Sequence, residues 1–278
     1  MPRIATLENR FYENYLSYFR VAEATRRWDP FDDIPWDEVK RDAPGEVTKV
    51  AQAFFAVEQY LPDYTSKLLH LVRKSRGRHL FQANWGYEES KHGLAIGLWL
   101  VRSGAMTEEE LRDYEHALLE QEWDLPYDDP LHMLCYTVLQ EYATRLNYTR
   151  LRSYAEQTGY RDPAFDTAFA LLSRDEAAHY GFFQKGLKIY LELYRDDALA
   201  ALNRVITEFQ MPAREEIPGW REREALIVDL DIFTPRIYMR DVVAPCLRAL
   251  GVDKAELRSA RRRMAEAAQG TTTPAVSA

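Results

Sequence analysis

Apolar residues recur at helical spacing along most of this 278-residue chain, and the pattern predicts a protein built of long helices. Strand patterns are nearly absent, and the 13 prolines lie mostly between the periodic segments. The predicted long helices cover residues 46–72, 78–102, 107–122, 129–158, 163–185 and 189–210, and shorter ones cover 222–228, 238–250 and 254–268. No linker divides the chain, so we expect one domain over residues 1–269, followed by a disordered tail at 270–278.

Three helix starts are marked by capping residues. Thr107 and Glu110 have the spacing of a capping box, in which each side chain accepts a hydrogen bond from the backbone N–H of the other residue. Asp129 and Asp162 each precede a proline, and an acidic N-cap before a proline is typical of a helix start. These local signals predict where three of the helices begin.

Composition excludes several classes of protein. Acidic residues outnumber basic ones by 44 to 36, a net charge of −8, which argues against a nucleic-acid-binding protein. The two cysteines, Cys135 and Cys246, cannot form a disulfide framework, so a reducing compartment is expected. No apolar stretch approaches the roughly 20 residues that a membrane-spanning helix needs, and the N-terminus lacks the apolar segment of a signal peptide. We therefore expect a soluble cytoplasmic protein.

Acidic residues interrupt the apolar faces of four predicted helices, where a helix used only for packing would avoid them. Glu58, for example, lies between Phe54 and Leu61 on one such face. Two other helices each carry Glu-x-x-His, a spacing that puts a carboxylate and an imidazole on the same side of a helix. The candidate metal ligands are Glu58, Glu89, His92, Glu141, Glu176 and His179. We expect them to converge in the interior of one bundle.

Such a cluster needs compensating charge, because a buried carboxylate without a partner costs several kcal/mol. Two divalent cations would balance the four glutamates, and mixed carboxylate and imidazole ligands favour iron or manganese over structural zinc. Taken singly, each residue is more typical of a solvated carboxylate or a hydrogen-bonded core histidine. Taken together, one Glu from each of two helices and Glu-x-x-His from each of two others are typical of ferritin-like di-metal bundles. The fold prediction is therefore all-α, a ferritin-like helical bundle with additional C-terminal helices.

One ambiguity lies in the first Glu-x-x-His motif, because Glu88 directly precedes Glu89. Glu88 could pair with His92, four residues later on the same helix. We favour Glu89 as the ligand, since it aligns with the apolar residues of its helix. Glu88 is expected to point toward Asn84 and Lys91 instead.

Several motifs make the chain resemble the soluble acyl-ACP desaturases, the family of stearoyl-ACP desaturase. The matching motifs are Glu88-Glu89-Ser90-Lys91-His92-Gly93, Asp175-Glu176-Ala177-Ala178-His179, Glu58-Gln59-Tyr60-Leu61-Pro62-Asp63-Tyr64, Gln140-Glu141-Tyr142-Ala143-Thr144, Trp28-Asp29-Pro30 ahead of Ile34-Pro35, and Met211-Pro212-Ala213. The resemblance covers roughly residues 10–250. One departure is Ala177-Ala178, where the family often has basic residues.

The resemblance implies a homodimer with one di-iron centre per subunit, that is, two Fe²⁺ ions held by the six candidate ligands. It also implies that ferredoxin supplies electrons and that O₂ is the oxidant. The implied substrate is a fatty acyl chain attached to acyl carrier protein, into which the enzyme introduces a double bond.

The resemblance assigns roles to further residues. Thr144 matches a family threonine thought to help deliver protons during oxygen activation, although a hydrogen bond to its own helix backbone is an equal alternative. Asp175 and Trp28 match an electron route through His92, and a carboxylate at the second ring nitrogen of a ligand histidine would fix its tautomer. For Trp28, simple packing is the alternative. Pro62, four residues after the first ligand, is expected to kink its helix.

A basic cluster, Arg73, Lys74, Arg76 and Arg78, lies in the connection between the first two ligand helices. Runs of charge usually form a solvated surface. An acidic carrier protein, however, would need a positive landing site on this acidic chain. We predict that the cluster docks the carrier; Arg261-Arg262-Arg263 is the other dense basic segment.

Two other functions remain open at the level of sequence. The ligand set does not determine the product, so a related di-iron oxygenase, such as a hydroxylase or N-oxygenase, is one alternative. A non-catalytic iron-binding bundle, for storage or structure, is the other. Acyl chain length and double-bond position depend on channel shape and are not encoded in local motifs.

Overall fold

The predicted apolar stripes form helices that pack side by side in the computed structural model, which describes residues 2–260. No strand occurs within that range. The helices are α1 (Pro2–Val21), α2 (Gly45–Glu58), α3 (Leu61–Leu71), α4 (Arg76–Arg102), α5 (Glu108–Leu118), α6 (Pro130–Gln157), α7 (Pro163–Leu193), α8 (Arg195–Glu208), α9 (Trp220–Asp229), α10 (Pro235–Ile237) and α11 (Ala244–Leu250). π-Helical turns at Ala22–Arg26 and Tyr238–Val243 extend α1 and join α10 to α11, and a short 3₁₀ turn covers Trp36–Glu38. Residues 254–260 are also helical; the rest of that predicted helix and the predicted tail lie outside the described residues.

Four antiparallel helical segments, here called rods, surround the core. α2 and α3 together form one of them, and α4, α6 and α7 form the other three. The α6–α7 pair is a helical hairpin, with Tyr142 against Tyr180 at 5.0 Å and Tyr148 against Phe169 at 5.6 Å between ring centroids. α4 packs antiparallel to α7, where Phe81 is stacked on one of its rings. Helix α1 covers α4 and α7, α8 covers α6 and α7, and α9 lies on α2. The bundle therefore buries the inward faces of all four ligand-bearing rods.

The predicted helix starts are confirmed by their caps. The Asp129 carboxylate accepts hydrogen bonds from the backbone N–H groups of Leu131 and His132, each at 3.0 Å. Asp162 caps α7 in the same way. Thr107 and Glu110 form both hydrogen bonds of a capping box at the start of α5. These caps satisfy backbone N–H groups that have no partner within the helix.

The first predicted ligand helix is two helices, so the prediction of one kinked helix over residues 46–72 is wrong in this detail. α2 ends at Glu58 and α3 begins at Leu61. Pro62 is the cause: it has no N–H to donate to the carbonyl of Glu58, and its ring would collide with that carbonyl in a continuous helix. The break leaves Glu58 at the last position of α2, facing the bundle interior.

Other predicted elements also differ from the structure: the helix predicted over 107–122 ends at Leu118, and the helix predicted from residue 189 begins at Arg195. Helix α1 was not predicted, because its apolar stripe is narrow. Its buried residues are chiefly Leu7 and Phe11. Helix α7 continues to Leu193, beyond the predicted end at residue 185, because its last turns bury apolar side chains. The glycine at position 186 allows this packing, since Phe11 occupies the space that its Cβ would need.

No helix within residues 2–260 combines the length and apolar character needed to cross a bilayer. The cytoplasmic location expected from the sequence stays a prediction.

Candidate metal centre

The six predicted ligands meet in the centre of the bundle. α2 provides Glu58 at its last position, α6 provides Glu141, and α4 and α7 each provide a Glu-x-x-His pair. The exposed fractions of the six residues range from 0% to 7%, so none is a solvated surface group. The six candidate ligands therefore share one buried site.

The cluster divides into two overlapping groups that could each hold a metal ion. One consists of Glu58, Glu89, His92 and Glu176, and the other of Glu89, Glu141, Glu176 and His179. Within each group the candidate ligand atoms lie within 4.8 Å of one another. Glu89 and Glu176 belong to both groups, and a carboxylate has two oxygens with which to bridge two cations.

Both histidine rings turn the same nitrogen toward the cluster. His92 Nδ1 lies 3.3 Å from carboxylate oxygens of Glu89 and Glu176. His179 Nδ1 lies 2.9 Å from Glu89 and 3.2 Å from Glu141. The Nε2 atoms point away, toward carboxylates outside the cluster. Each imidazole therefore offers one nitrogen to a cation and keeps the other for an outer partner.

The inner atoms are poorly satisfied by the protein itself. Nδ1 of each ring and both oxygens of Glu141 are buried without a hydrogen bond among the described residues. Burial, together with the neighbouring carboxylate of Glu89, raises the pKa of Glu58 to about 8. Burial and the Glu176 carboxylate raise the pKa of Glu141 well above its ordinary value. Cations would relieve both the missing partners and the repulsion, so the residues present fit a metal pair.

Glu88 does not pair with His92, and it has a partner that the sequence did not predict. This residue is 3% exposed, and its Oε2 lies 3.0 Å from His179 Nε2, on another helix. The hydroxyl of Tyr18 and the guanidinium of Arg27 also donate to it. Burial, the largest single effect, would raise the pKa of Glu88. The hydrogen bond and charge of His179, the hydrogen bond from Tyr18 and the charge of Arg26 together outweigh burial and lower the pKa to about 2. Periodicity within α4 could not reveal this partner, because the partner comes from α7.

Asp175 and Trp28 lie together beside the other histidine. Trp28 Nε1 donates to Asp175 Oδ2 at 2.7 Å, and that oxygen is 3.7 Å from His92 Nε2. Asp175 therefore faces the outer nitrogen of His92, at a longer distance than the 3.0 Å between Glu88 and the outer nitrogen of His179. The geometry agrees with the linkage expected for these three residues, and the electron route stays a prediction.

Two α6 side chains complete the surroundings of Glu58. Tyr148 donates a hydrogen bond to Glu58 Oε1, a contact between α6 and α2 that the periodicity of a single helix does not predict. Thr144 Oγ1 accepts from Gln140 Nε2 at 3.1 Å, and within residues 2–260 it makes no hydrogen bond to its own helix backbone. The backbone-bonding alternative for Thr144 therefore fails.

Apolar cavities lead to the cluster and past it. The largest of three adjoining cavities has a volume of about 220 Å³ and lies between α2, α6 and α9, with Glu58 and Thr144 in its wall. A second, of about 30 Å³, shares these two residues and continues toward α3. A third, of about 20 Å³, shares Leu68 and Met133 with the second. Shared lining residues place the three mainly apolar cavities next to one another.

The predicted docking cluster is divided by the fold. Arg73, Lys74 and Arg76 are exposed. Arg78 is less available for docking, because its guanidinium pairs with Glu8 at 2.8 Å and also contacts Ser75 and Tyr190. The alternative basic segment at residues 261–263 lies outside the part of the chain that the structure describes.

The chain is similar in sequence to known desaturases. A family model described as fatty acid desaturase matches residues 4–272. DesA1 of Mycobacterium tuberculosis, whose name assigns it as an acyl-[acyl-carrier-protein] desaturase, is 24% identical in an alignment 258 positions long that covers 85% of this chain and 74% of DesA1. Stearoyl-[acyl-carrier-protein] 9-desaturase 4 of Arabidopsis thaliana is 24% identical over 232 residues, 75% of this chain and 57% of that protein.

Solved structures share the fold. DesA2 of M. tuberculosis H37Rv, titled as an acyl-ACP desaturase, superposes with a TM-score of 0.64 at 17% identity, covering 92% of this chain and 99% of that one. An R2-like ligand-binding oxidase of Sulfolobus acidocaldarius superposes with a TM-score of 0.50 at 13% identity, covering 85% and 89%. At these identities the likeness concerns the fold alone. The predicted all-α, ferritin-like bundle is confirmed.

Proposed function

Since the chain belongs to the fatty acid desaturase family, and is therefore an oxidoreductase, we propose that it introduces a double bond into an acyl chain carried on acyl carrier protein. The observation that carries this proposal is the row of adjoining apolar cavities beside the candidate metal ligands. Cavities that have Glu58 and Thr144 in their walls and extend beyond them suit a long, unbranched substrate whose interior carbons must reach the metals. We infer that the carrier is acyl carrier protein because the names of the relatives include it.

The metal pair is proposed to be two iron ions. Glu58, Glu89, His92 and Glu176 would surround one, and Glu141 and His179 would complete the second together with the two shared carboxylates. Four carboxylate ligands neutralise two divalent cations, and carboxylate with imidazole is a ligand set that suits iron. When bound, the pair supplies the redox chemistry that activates O₂.

The overall reaction is balanced by an external reductant. Removing one hydrogen from each of two adjacent carbons leaves the double bond and releases two electrons and two protons. Two more electrons, which we assign to ferredoxin, and two more protons complete the reduction of O₂ to two molecules of water. The protein's part is to position the chain, exclude bulk water and move protons.

Particular side chains would perform these tasks. Tyr148 holds Glu58 in one orientation through its hydrogen bond. Asp175 and Glu88 would fix the tautomers of the two histidines, so that the inner nitrogens are free to bind metal. Thr144, in the cavity wall beside Glu58, is the candidate for proton delivery. Trp28, donating to Asp175, is the candidate start of the electron route.

The carrier is proposed to dock on the exposed residues Arg73, Lys74 and Arg76. An acidic carrier would be attracted to this patch on a chain of net charge −8. Charge reversal in the double variant R73E/R76E should raise KM for acyl carrier substrate with little change in kcat. The variant R112E, on an exposed face of α5, is the control. An unchanged KM for R73E/R76E would remove this surface from the proposal.

The remaining expectations complete the proposal. We infer that residues 1–269 act as one desaturase domain, that the functional unit is a homodimer, and that the enzyme works in the cytoplasm. Sedimentation or light scattering of the purified protein tests the dimer.

The direct test is product analysis. A set of acyl carrier substrates is supplied with reduced ferredoxin and O₂, and the products are identified by mass spectrometry. Unsaturated product supports the proposal, whereas hydroxylated product would assign the chain to a related di-iron oxygenase. Fewer than about two irons per chain, with no gain on adding Fe²⁺, would favour a metal-free bundle.

Ligand variants link the product to the metal centre. E141A and E176A should abolish turnover and lower the iron content, because each removes a buried ligand of the proposed pair. E156A, which removes an exposed carboxylate of the same helix as Glu141, is the matched control and should retain both. Full activity of E141A or E176A would contradict the ligand assignment.

A further inference from the structure

The turn that follows α1 brings an arginine against both carboxylates that lie outside the metal cluster. Arg26 Nη1 is 3.3 Å from Asp175 Oδ1, and Arg26 Nη2 is 3.5 Å from Glu88 Oε1. One guanidinium therefore spans the outer partners of both ligand histidines. Its side chain is 11% exposed and lies over the ring of Tyr18 at 4.7 Å, so its position is defined by packing as well as by charge.

Asp175 depends on this arginine more than Glu88 does. Glu88 also accepts from Arg27 Nη1 at 2.7 Å. Within residues 2–260, the cationic or potentially cationic groups paired with Asp175 are Arg26 and His92. A histidine must be neutral to bind a metal, so His92 brings no charge to Asp175 in the metal-loaded protein. Arg26 is then the remaining positive partner of a carboxylate that is 1% exposed.

The positive charge beside Asp175 comes from outside α7. Ala177 and Ala178 separate Glu176 from His179, so α7 offers no cation of its own at these two positions. The charge comes instead from Arg26 in the π-helical turn, which is far from α7 in sequence.

We propose that Arg26 is a positioning residue that holds Asp175 and Glu88 at the outer nitrogens of His92 and His179 and so couples the two halves of the metal centre. Its bridging of two carboxylates distinguishes it from a surface ion pair. Charge supports the assignment: two divalent cations would neutralise the four ligand glutamates, and Arg26 supplies a positive charge to the two outer carboxylates, while Arg27 is shared between Glu88 and Glu23. A planar guanidinium with separate donors can serve two carboxylates at once, and a lysine ammonium cannot do so with the same geometry.

The inference rests on the proposed metal centre, and its test uses metal affinity rather than turnover. Metal-free wild-type protein and the variants R26Q, R26K and R20Q are titrated with Co²⁺, whose visible absorption reports binding and ligand geometry. We expect Co²⁺ to bind about 10-fold more weakly to R26Q, the lower end of the effect of removing outer partners of metal ligands. R26K should give an intermediate loss. R20Q, an exposed position of α1, should match wild type.

The melting temperature of the metal-free proteins separates positioning from simple packing. A merely structural Arg26 would lower the stability of the metal-free R26Q protein and leave its Co²⁺ affinity and spectrum unchanged, and this result would overturn the inference. If R26Q does not fold, R26K carries the same test, because weaker binding supports the inference and unchanged binding overturns it. Wild-type protein that binds no Co²⁺ would instead overturn the proposed metal centre itself.

Discussion

At the scale of single residues, the candidate metal ligands are surrounded by polar side chains from outside the cluster. Glu88 is hydrogen-bonded to His179, Asp175 faces the outer nitrogen of His92, and Tyr148 donates to Glu58. Such contacts choose one orientation for a ligand that could otherwise rotate, and a fixed ligand binds metal with less loss of conformational freedom. The outer residues are therefore expected to matter nearly as much as the ligands.

Removing the hydroxyl of Tyr148 tests this view. The variant Y148F keeps the ring packed against Phe169 but leaves Glu58 without its donor. We expect a 10- to 100-fold loss in metal affinity or kcat, on the order of what outer-partner changes cause in other metal sites. Iron content and steady-state kinetics provide the measurement. Y154F, elsewhere on α6, should behave as wild type. If Y148F has the same iron content and kcat as wild type, the hydrogen bond does not orient Glu58.

At the scale of helices, close approach of backbones decides where the elements lie. α1 crosses the start of α4 so closely that a Cβ on Gly77 would be 2.4 Å from the carbonyl carbon of Phe11. Phe11 also fills the space beside Gly186 of α7. Two glycines therefore set the position of α1, and through it the position of the arginines that follow.

The variant G77A should destabilise the protein, because the new methyl group collides with backbone that cannot rotate away. Overpacking of this kind typically costs about 1–3 kcal/mol in the free energy of unfolding, which urea denaturation measures. G181A is the matched control, since a Cβ on Gly181 would meet no neighbouring element within 4 Å among the described residues. Alanine is also the better helix former there, by up to about 1 kcal/mol. Equal stability of the two variants would contradict the close approach.

The capping box of α5 provides a pH-dependent test. The hydrogen bond from the Thr107 backbone N–H lowers the pKa of Glu110 below its ordinary value of 4.5. A lowered pKa in the folded state means that the carboxylate stabilises α5 above pH 4.5 and that this contribution is lost as the pH falls. E110Q should thus be less stable than wild type at neutral pH, with a difference that shrinks in acid. E109Q, in the same turn, should show no comparable pH dependence.

At the scale of the whole molecule, the helical bundle holds four acidic side chains close together in its buried interior. Without cations the carboxylates repel one another, which is why burial and neighbouring charge raise the pKa of Glu58 and of Glu141. The energy of metal binding is therefore coupled to the energy of folding.

Adding Fe²⁺ under anaerobic conditions should raise the melting temperature of the metal-free protein. At a free concentration 100 times Kd, binding adds about 3 kcal/mol to the free energy of unfolding. Differential scanning calorimetry measures the shift. E141A should lose most of it, whereas E156A should retain it. A melting temperature that Fe²⁺ leaves unchanged in wild type would contradict the coupling.

The sequence by itself determined the features that depend on residues near one another along the chain. Helix starts at Thr107, Asp129 and Asp162 follow from local capping chemistry, and the two Glu-x-x-His pairs follow from the helical repeat. The same repeat predicted that Glu58 and Glu141 face inward. These features were predictable because the geometry of one helix fixes which of its side chains share a face.

Only the tertiary structure decided how separate helices meet. The pairing of Glu88 with His179, the engagement of Arg78 with Glu8 and the reach of Arg26 across two carboxylates each join residues more than 60 positions apart. The path of α1 and the cavities beside Glu58 are likewise products of packing. Helical periodicity carries no information about the rotation and approach of one helix relative to another, because these depend on how all the side chains of the core fill space together.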